Sequence, residues 1–345
     1  MLFRYALALT QTDRLSLSMT KHADAHHWSN RQERTVLWGM RFLFGVYRLF
    51  GRIPFLIVLG PVILFYWLSD RSLRDVSFDY LSRAHACGLL KDEPTRRMTL
   101  AHLMRFADTI LDKMVALAGE NVQEMIRVEG EDVLWKLVND KRGAVVLTSH
   151  MGCIEALQAY GNRLAGVPIH ILVHTKHSGA FNALLDELNP LNQLKFTEVS
   201  EITPAFAFSM QEAIDQGALL FVAGDRVPVH SNATVSCRFL GSDANFPVGG
   251  PILANLFHCP LVQMTCIRET AQSPRGLKRF NRYRVSFHCL SESVRLNRRD
   301  RQADMQQLMQ AFATHLELAI EESPLDWFNF YPFWQQACTK DNDHA

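Results

Sequence analysis

Short runs of β-branched and aliphatic residues alternate, through the second half of the chain, with stretches whose apolar positions recur every three or four residues. That alternation predicts strands and helices in turn. Ala144 to Leu147 is charge-free and reads as a fully buried strand. Further strands are predicted at Ile126–Glu129, Ile169–His174, Lys195–Glu198, Ala218–Ala223, Leu261–Arg268 and Tyr283–Cys289, and helices at Glu131–Asn139, Gly179–Leu188, Pro204–Gln216 and Ala303–Glu322. Strand–helix alternation with short links implies an α/β fold, with a mixed, largely parallel central sheet flanked by helices. Ahead of it, residues 73 to 119 read as two helices, the second lined by Leu100, Leu103, Phe106, Ile110, Leu111, Met114 and Leu117.

The pattern changes sharply near the start. Residues 1–35 are polar, with a His-rich centre, and Met1 to Thr10 is too short and too interrupted by Arg4 for a secretory signal. Residues 36–72 read as a membrane anchor. Val36 to Phe50 is amphipathic, and Ile53 to Ser69 runs seventeen residues without a charge between Arg52 and Asp70. Seventeen helical residues rise about 25 Å against a hydrocarbon core of about 30 Å. Pro54, Gly60 and Pro61 are expected to break the run. A single span, a monotopic hairpin in one leaflet and a buried soluble helix all fit this composition. The expected organisation is thus a polar segment (1–35), an anchor (36–72) and a catalytic domain (73–338), the last divided into a helical lead-in (73–140) and an α/β core (141–338).

Composition narrows the function classes. The 345 residues carry a net charge of +1 and a pI of about 7.7, which gives no nucleic-acid footprint. The seven cysteines show no C-x-x-C and no regular spacing, as expected for free thiols in a reducing compartment. The fourteen histidines form no H-E-x-x-H and no Cys/His zinc spacing, so neither metal nor cofactor is expected.

The candidate chemistry lies at predicted strand ends. His150 follows the Ala144–Leu147 strand directly, and Glu155 lies five residues later. On one continuous helix five residues turn through roughly 500°, so the two can meet only if His150 sits in the turn before a helix and Glu155 points back. A carboxylate so placed fixes the imidazole tautomer, leaving the other nitrogen to take a proton from a hydroxyl. The plainer alternative is a His packed near a helix start and a solvated Glu. Gly224-Asp225-Arg226 leaves a parallel strand on the same sheet edge, with Arg226 suited to grip phosphate or carboxylate and Asp225 to hold Arg226 or orient an acceptor. His174, Lys176 and His177 leave another strand there, suited to an anionic group or to a solvated loop. Backbone N–H groups near Gly152 add a candidate oxyanion site. No G-x-S-x-G nucleophile elbow occurs, Ser149 adjoins His150 too closely for a triad, and Cys153 lacks a base of its own.

These segments together resemble the bacterial lipid A biosynthesis acyltransferases, within the lysophospholipid acyltransferase superfamily. The likeness rests on His150-Met151-Gly152-Cys153-Ile154-Glu155 as an H-x4-E motif and on the block from Leu219 to Ala254. That block holds Gly224-Asp225-Arg226, Phe239-Leu240-Gly241 and Phe246-Pro247-Val248-Gly249-Gly250-Pro251. Pro324-Leu325-Asp326-Trp327 adds the family's Pro-x-x-Trp, and the likeness extends from about Trp28 to Trp334. The tail departs from the pattern: the lipid A branch follows the Trp with a basic run, whereas Tyr331-Pro332-Phe333-Trp334 is aromatic. The resemblance implies an O- or N-acyltransferase of the inner membrane whose site faces the cytoplasm. It would use an acyl-carrier-protein or coenzyme A thioester as donor and a lipid or glycolipid as acceptor, with His150 and Glu155 as the dyad. A membrane-bound thioesterase or lipase, and a non-catalytic membrane-anchored lipid-binding protein, are the competing readings.

Overall fold

A computed structural model of the protein describes residues 44–117, 122–156, 167–173, 194–198, 204–227, 233–269 and 281–338. Helix α1 (Arg52–Ser69) is followed by α2 (Arg71–Ala86) and α3 (Arg96–Leu117). Then come β1 (Ile126–Glu129), α4 (Glu131–Asn139), β2 (Ala144–Thr148), β3 (Ile169–Val173), β4 (Leu194–Glu198), α5 (Pro204–Asp215) and β5 (Leu219–Ala223). The chain continues with β6 (Thr234–Phe239), β7 (Ser242–Pro247), α6 (Gly249–Leu256), β8 (Leu261–Arg268), β9 (Tyr283–Ser291) and α7 (Arg301–Glu322).

Seven strands form one sheet in the order β1-β9-β8-β2-β5-β3-β4. Every pairing in it is parallel except β8 with β9, so the sheet is mixed and largely parallel. Strand β2 lies at its centre, and its alternating side chains enter two separate cores. Ala144 and Val146 join a core built with α1 and α3, while Val145 and Leu147 join one built with α2, α6, α7 and the β6–β7 hairpin. Burial on both faces explains why Ala144 to Leu147 carries no polar residue: each Val or Leu so buried contributes about 1.5–3 kcal/mol, and a charge at any of these positions would face hydrocarbon.

Three features differ from expectation. β1, at its expected position, pairs with β9 at the sheet edge, so the α/β sheet begins before residue 141, ahead of the expected core boundary. The β6–β7 hairpin was not foreseen; its turn residues Leu240 and Gly241 both take positive φ, 46° and 74°, which matches the twist of tightly linked strands. α1 is continuous through Gly60 and Pro61. Pro54 falls in the first turn, where N–H groups have no intrahelical partner anyway, and tertiary packing offsets the one bond that Pro61 removes.

α1 lies flush on α3 along its length. Arg52 at its start donates to Asp112 Oδ1 at 2.6 Å and also bonds Asp108, while Trp67 at its end donates to Thr99 Oγ1 at 2.9 Å. Phe55, Leu59, Ile63 and Tyr66 are buried at helical spacing, whereas Ile53, Ile57, Leu64, Phe65 and Leu68 face outward. Arg284, the second residue of β9, pairs with Glu129 and Glu322. Most of Val36–Phe50 and the predicted Gly179–Leu188 helix lie outside the described residues.

Candidate active site

β2 and β5 are neighbours in parallel register, with Thr148 opposite Ala223. Two residues beyond each of these partners stand His150 and Asp225, so sheet register alone brings them side by side. Asp225 receives both N–H groups of His150: the backbone amide donates to Oδ2 at 2.7 Å and ring Nδ1 donates to Oδ1 at 2.8 Å. The turn after His150 depends on Gly152, whose φ is +62° and where a Cβ would come within 2.2 Å of the Cys266 carbonyl. Any larger residue there would displace the His-bearing loop from β8.

The chain's aromatic tail closes the site from the other side. Met151 forms an isolated antiparallel bridge with Trp327, Gly152 N–H donates to the Asp326 carbonyl at 2.9 Å, and Phe328 N–H donates to the His150 carbonyl at 2.8 Å. The Trp327 indole N–H reaches Asp225 Oδ2 at 3.0 Å, and the Tyr331 hydroxyl donates to the Asp225 carbonyl at 3.1 Å. Arg226 lies over the Tyr331 ring, 5.2 Å from its centroid, and donates to the Phe328 carbonyl at 3.3 Å.

The electrostatics suit a neutral base. Burial and the adjacent Arg226 charge lower the His150 pKa below the ordinary 6.5, against the opposing pull of Asp225; Lys113 lowers it further. Burial works to raise the Asp225 pKa, but His150, its hydrogen bonds and Arg226 hold the carboxyl below the usual range. Asp225 is therefore ionised at neutral pH and fixes the His150 proton on Nδ1. Nε2 is left with its lone pair on a side chain that is 30% exposed, beside a carboxylate only 2% exposed. This is the arrangement of a general base oriented by a carboxylate.

Glu155 is placed elsewhere. It stands in a single 3-10 turn, Ile154–Ala156, and its Oε1 accepts from Lys113 Nζ of α3 at 3.0 Å. Among the described residues its other oxygen, Oε2, is buried without a hydrogen-bond partner, and no hydrogen bond joins it to His150. The helix expected after His150 lies outside the described residues from 157 on, as do His174, Lys176 and His177. The Gly152 N–H is already spent on Asp326, so in this conformation it is not turned to an oxyanion. Burial drives the Cys153 thiol pKa well above its ordinary value, the opposite of what a nucleophile needs. Among the described residues no three His, Cys, Asp or Glu side chains converge as a metal site. The reading from sequence assigned Asp225 to Arg226 or the acceptor and missed its bond to His150. It also gives Trp327 only as part of the family's Pro-x-x-Trp, with no role in the site, and overlooks Lys113. The available signal was positional, since His150 and Asp225 follow the ends of their predicted strands by three and two residues, but only sheet order makes those strands adjacent.

The model of the bacterial lipid A biosynthesis acyltransferase family matches residues 98–336 of the chain. That match takes in His150, Glu155, Asp225, Arg226 and Trp327. No curated protein sequence matches the chain. Among solved structures, one that resembles it is the 1-acyl-sn-glycerophosphate (LPA) acyltransferase PlsC from Thermotoga maritima. The two are 11% identical, with 83% of this chain and 97% of that chain covered and a TM-score of 0.32.

Proposed function

The chain belongs to the bacterial lipid A biosynthesis acyltransferase family and is an acyltransferase of lipid biosynthesis, and from that premise we propose the reaction, its base and its seat on the membrane. The acyl group moves from an acyl-carrier-protein or coenzyme A thioester to a hydroxyl or amine of a lipid or glycolipid. His150 Nε2 takes the proton of the acceptor O–H or N–H as that atom attacks the thioester carbonyl. The tetrahedral intermediate then collapses, the C–S bond breaks, and the imidazolium returns its proton to the departing thiolate. Ester or amide and free thiol are the products, with no covalent enzyme intermediate. Asp225 holds the tautomer and stabilises the imidazolium, and Arg226 lies near enough to favour negative charge beside His150. The observation that carries this reading is the Nδ1–Oδ1 contact of 2.8 Å between His150 and a buried carboxylate.

α1 is the membrane-facing element. Its contacts with α3 run from Arg52–Asp112 to Trp67–Thr99, so a spanning α1 would drag the charges of α3 into hydrocarbon. α1 instead lies in one leaflet, with Ile53, Ile57, Leu64, Phe65 and Leu68 among the acyl chains and Arg71 and Arg74 at the headgroups, on the cytoplasmic side of the inner membrane.

The test is lipid mass spectrometry of cells that lack their own copy and express wild type or His150→Ala. A lipid heavier by one acyl group, present only with wild type, is the expected result and names acceptor and chain length together. Equal acylation with His150→Ala at equal protein level overturns the base assignment. Release of free fatty acid without any acylated lipid moves the reading to a thioesterase.

A further inference from the structure

We propose that Trp327 is a positioning residue of the active site: its indole N–H, aimed at Asp225 Oδ2, sets how strongly that carboxylate holds the His150 imidazole. The inference rests on His150 acting as the base. Among the described residues Asp225 accepts three N–H groups at its carboxylate, and Trp327 supplies the one that does not come from His150. A buried carboxylate shares its charge among its donors, so each donor removed leaves more charge for the others.

Trp327 is itself held rigidly, as a residue with this role must be. Its ring is fully buried, edge-on to Tyr80 at 5.0 Å and to Phe239 and Phe333 at 5.3 Å. Its backbone carbonyl accepts from His102 Nε2 at 3.0 Å, and His102 Nδ1 accepts in turn from the Ser77 hydroxyl at 2.9 Å. Burial lowers the His102 pKa to about 4, so the ring is neutral with one nitrogen in each role. The residue before Trp327 is pinned as well. Asp326 Oδ2 accepts from the Arg268 amide and the Ser323 hydroxyl, both at 2.6 Å. Helices α2 and α3 therefore fix the indole, the indole fixes Asp225, and Asp225 fixes His150. Among the described residues the remaining charged and titratable groups around His150 are Arg226, Lys113 with its partner Glu155, and Tyr331 on the Asp225 carbonyl. Trp327 adds no charge, so its effect passes through Asp225.

The sign follows. Without the indole N–H the Asp225 carboxylate concentrates its charge on His150, the imidazolium gains, and the His150 pKa rises. One neutral hydrogen bond corresponds to a shift of about half to one pH unit. The experiment uses the full chain in detergent and follows diethylpyrocarbonate modification of His150 against pH by peptide mass spectrometry, which titrates the neutral imidazole without turnover. Two variants remove the N–H: Trp327→Phe, and replacement of Trp327 by the ring-isosteric benzothienylalanine, which keeps the packing if the Phe variant loosens it. The expected result is an upward shift of the midpoint in the isosteric variant and a loss of transfer of about tenfold. An unchanged midpoint with unchanged transfer overturns the proposal. So does a shift of equal size in an Asp225→Asn background, because the effect would then not pass through Asp225. A shifted midpoint in a protein whose His150→Ala variant still acylates lipid supports the coupling while overturning the base assignment, so the two failures are distinguishable.

Discussion

His150 and Glu155, five residues apart in the chain, each belong to a carboxylate–base pair, and the two pairs are built by different means. His150 meets Asp225 because β2 and β5 run parallel in register and both loops leave the same sheet edge. Glu155 meets Lys113 because a 3-10 turn carries it to α3, away from the imidazole. One pair combines a carboxylate 2% exposed with a base 30% exposed, the other two ions at 26% and 24%. The first leaves a nitrogen lone pair open, while the second neutralises both partners. Spacing along the chain joins His150 to Glu155; the sheet joins it to Asp225. A motif thus marks the loop that matters without giving the wiring inside it.

Substitutions break this contrast in order of size. His150→Ala removes the proposed base and is expected to lower the transfer rate by about 10³-fold, with an unchanged melting curve, in a radiolabelled acyl-transfer assay. Asp225→Asn keeps the shape but lets an amide face Nδ1, which favours the wrong tautomer; the expected loss in kcat is about 10²-fold. Glu155→Gln should cost less than about tenfold in the same assay. A loss from Glu155→Gln equal to that from Asp225→Asn would mean that Glu155 replaces Lys113 with His150 once substrate binds.

The pH dependence sharpens the comparison, because the two pairs act on His150 with opposite signs. Only neutral His150 accepts a proton, and its pKa lies below 6.5, so kcat/KM is expected to hold through pH 6.5 and fall at more acid values. Asp225 raises this pKa and Lys113 lowers it. The acidic limb should therefore move further down in Asp225→Asn and up, by less, in Lys113→Met. Shifts in the same direction for both variants would contradict the electrostatics described here.

The smallest effect is on stability. Lys113→Met leaves the Glu155 carboxylate without its cation in a partly buried site, which is expected to cost about 1–2 kcal/mol in urea unfolding at pH 7. Removing both charges as Lys113→Met with Glu155→Leu should recover most of that. No recovery would mean that the pair contributes through the packing of its side chains rather than through mutual neutralisation.

How much of this could be read from the chain follows from the range of each interaction. Periodicity and composition are local, and they placed β1, β2, β5, β8, α4 and most of α7 close to their observed bounds. They did so because a strand buried on both faces must be apolar throughout, and a surface helix must show one apolar stripe. The hairpin of β6 and β7 went unseen because its six-residue strands are held by α7 and the tail, and the intrinsic signal of such short strands is weak. His150, Asp225 and Arg226 were identifiable as site residues since each follows a predicted strand onto one edge. Their pairing was not, because β3, β4 and α5 intervene in sequence between β2 and β5, and nothing local records which strands become neighbours. The role of Trp327 was further out of reach, some 100 residues from its carboxylate. The same division holds for α1. Seventeen uncharged residues determined that α1 would be an apolar helix, whereas its buried face against α3 decided how it can meet a bilayer. Sequence determined which residues carry charge, hydrogen-bond donors and apolar surface; tertiary structure decided which of them share a low-dielectric space, and a pKa or a tautomer depends on that.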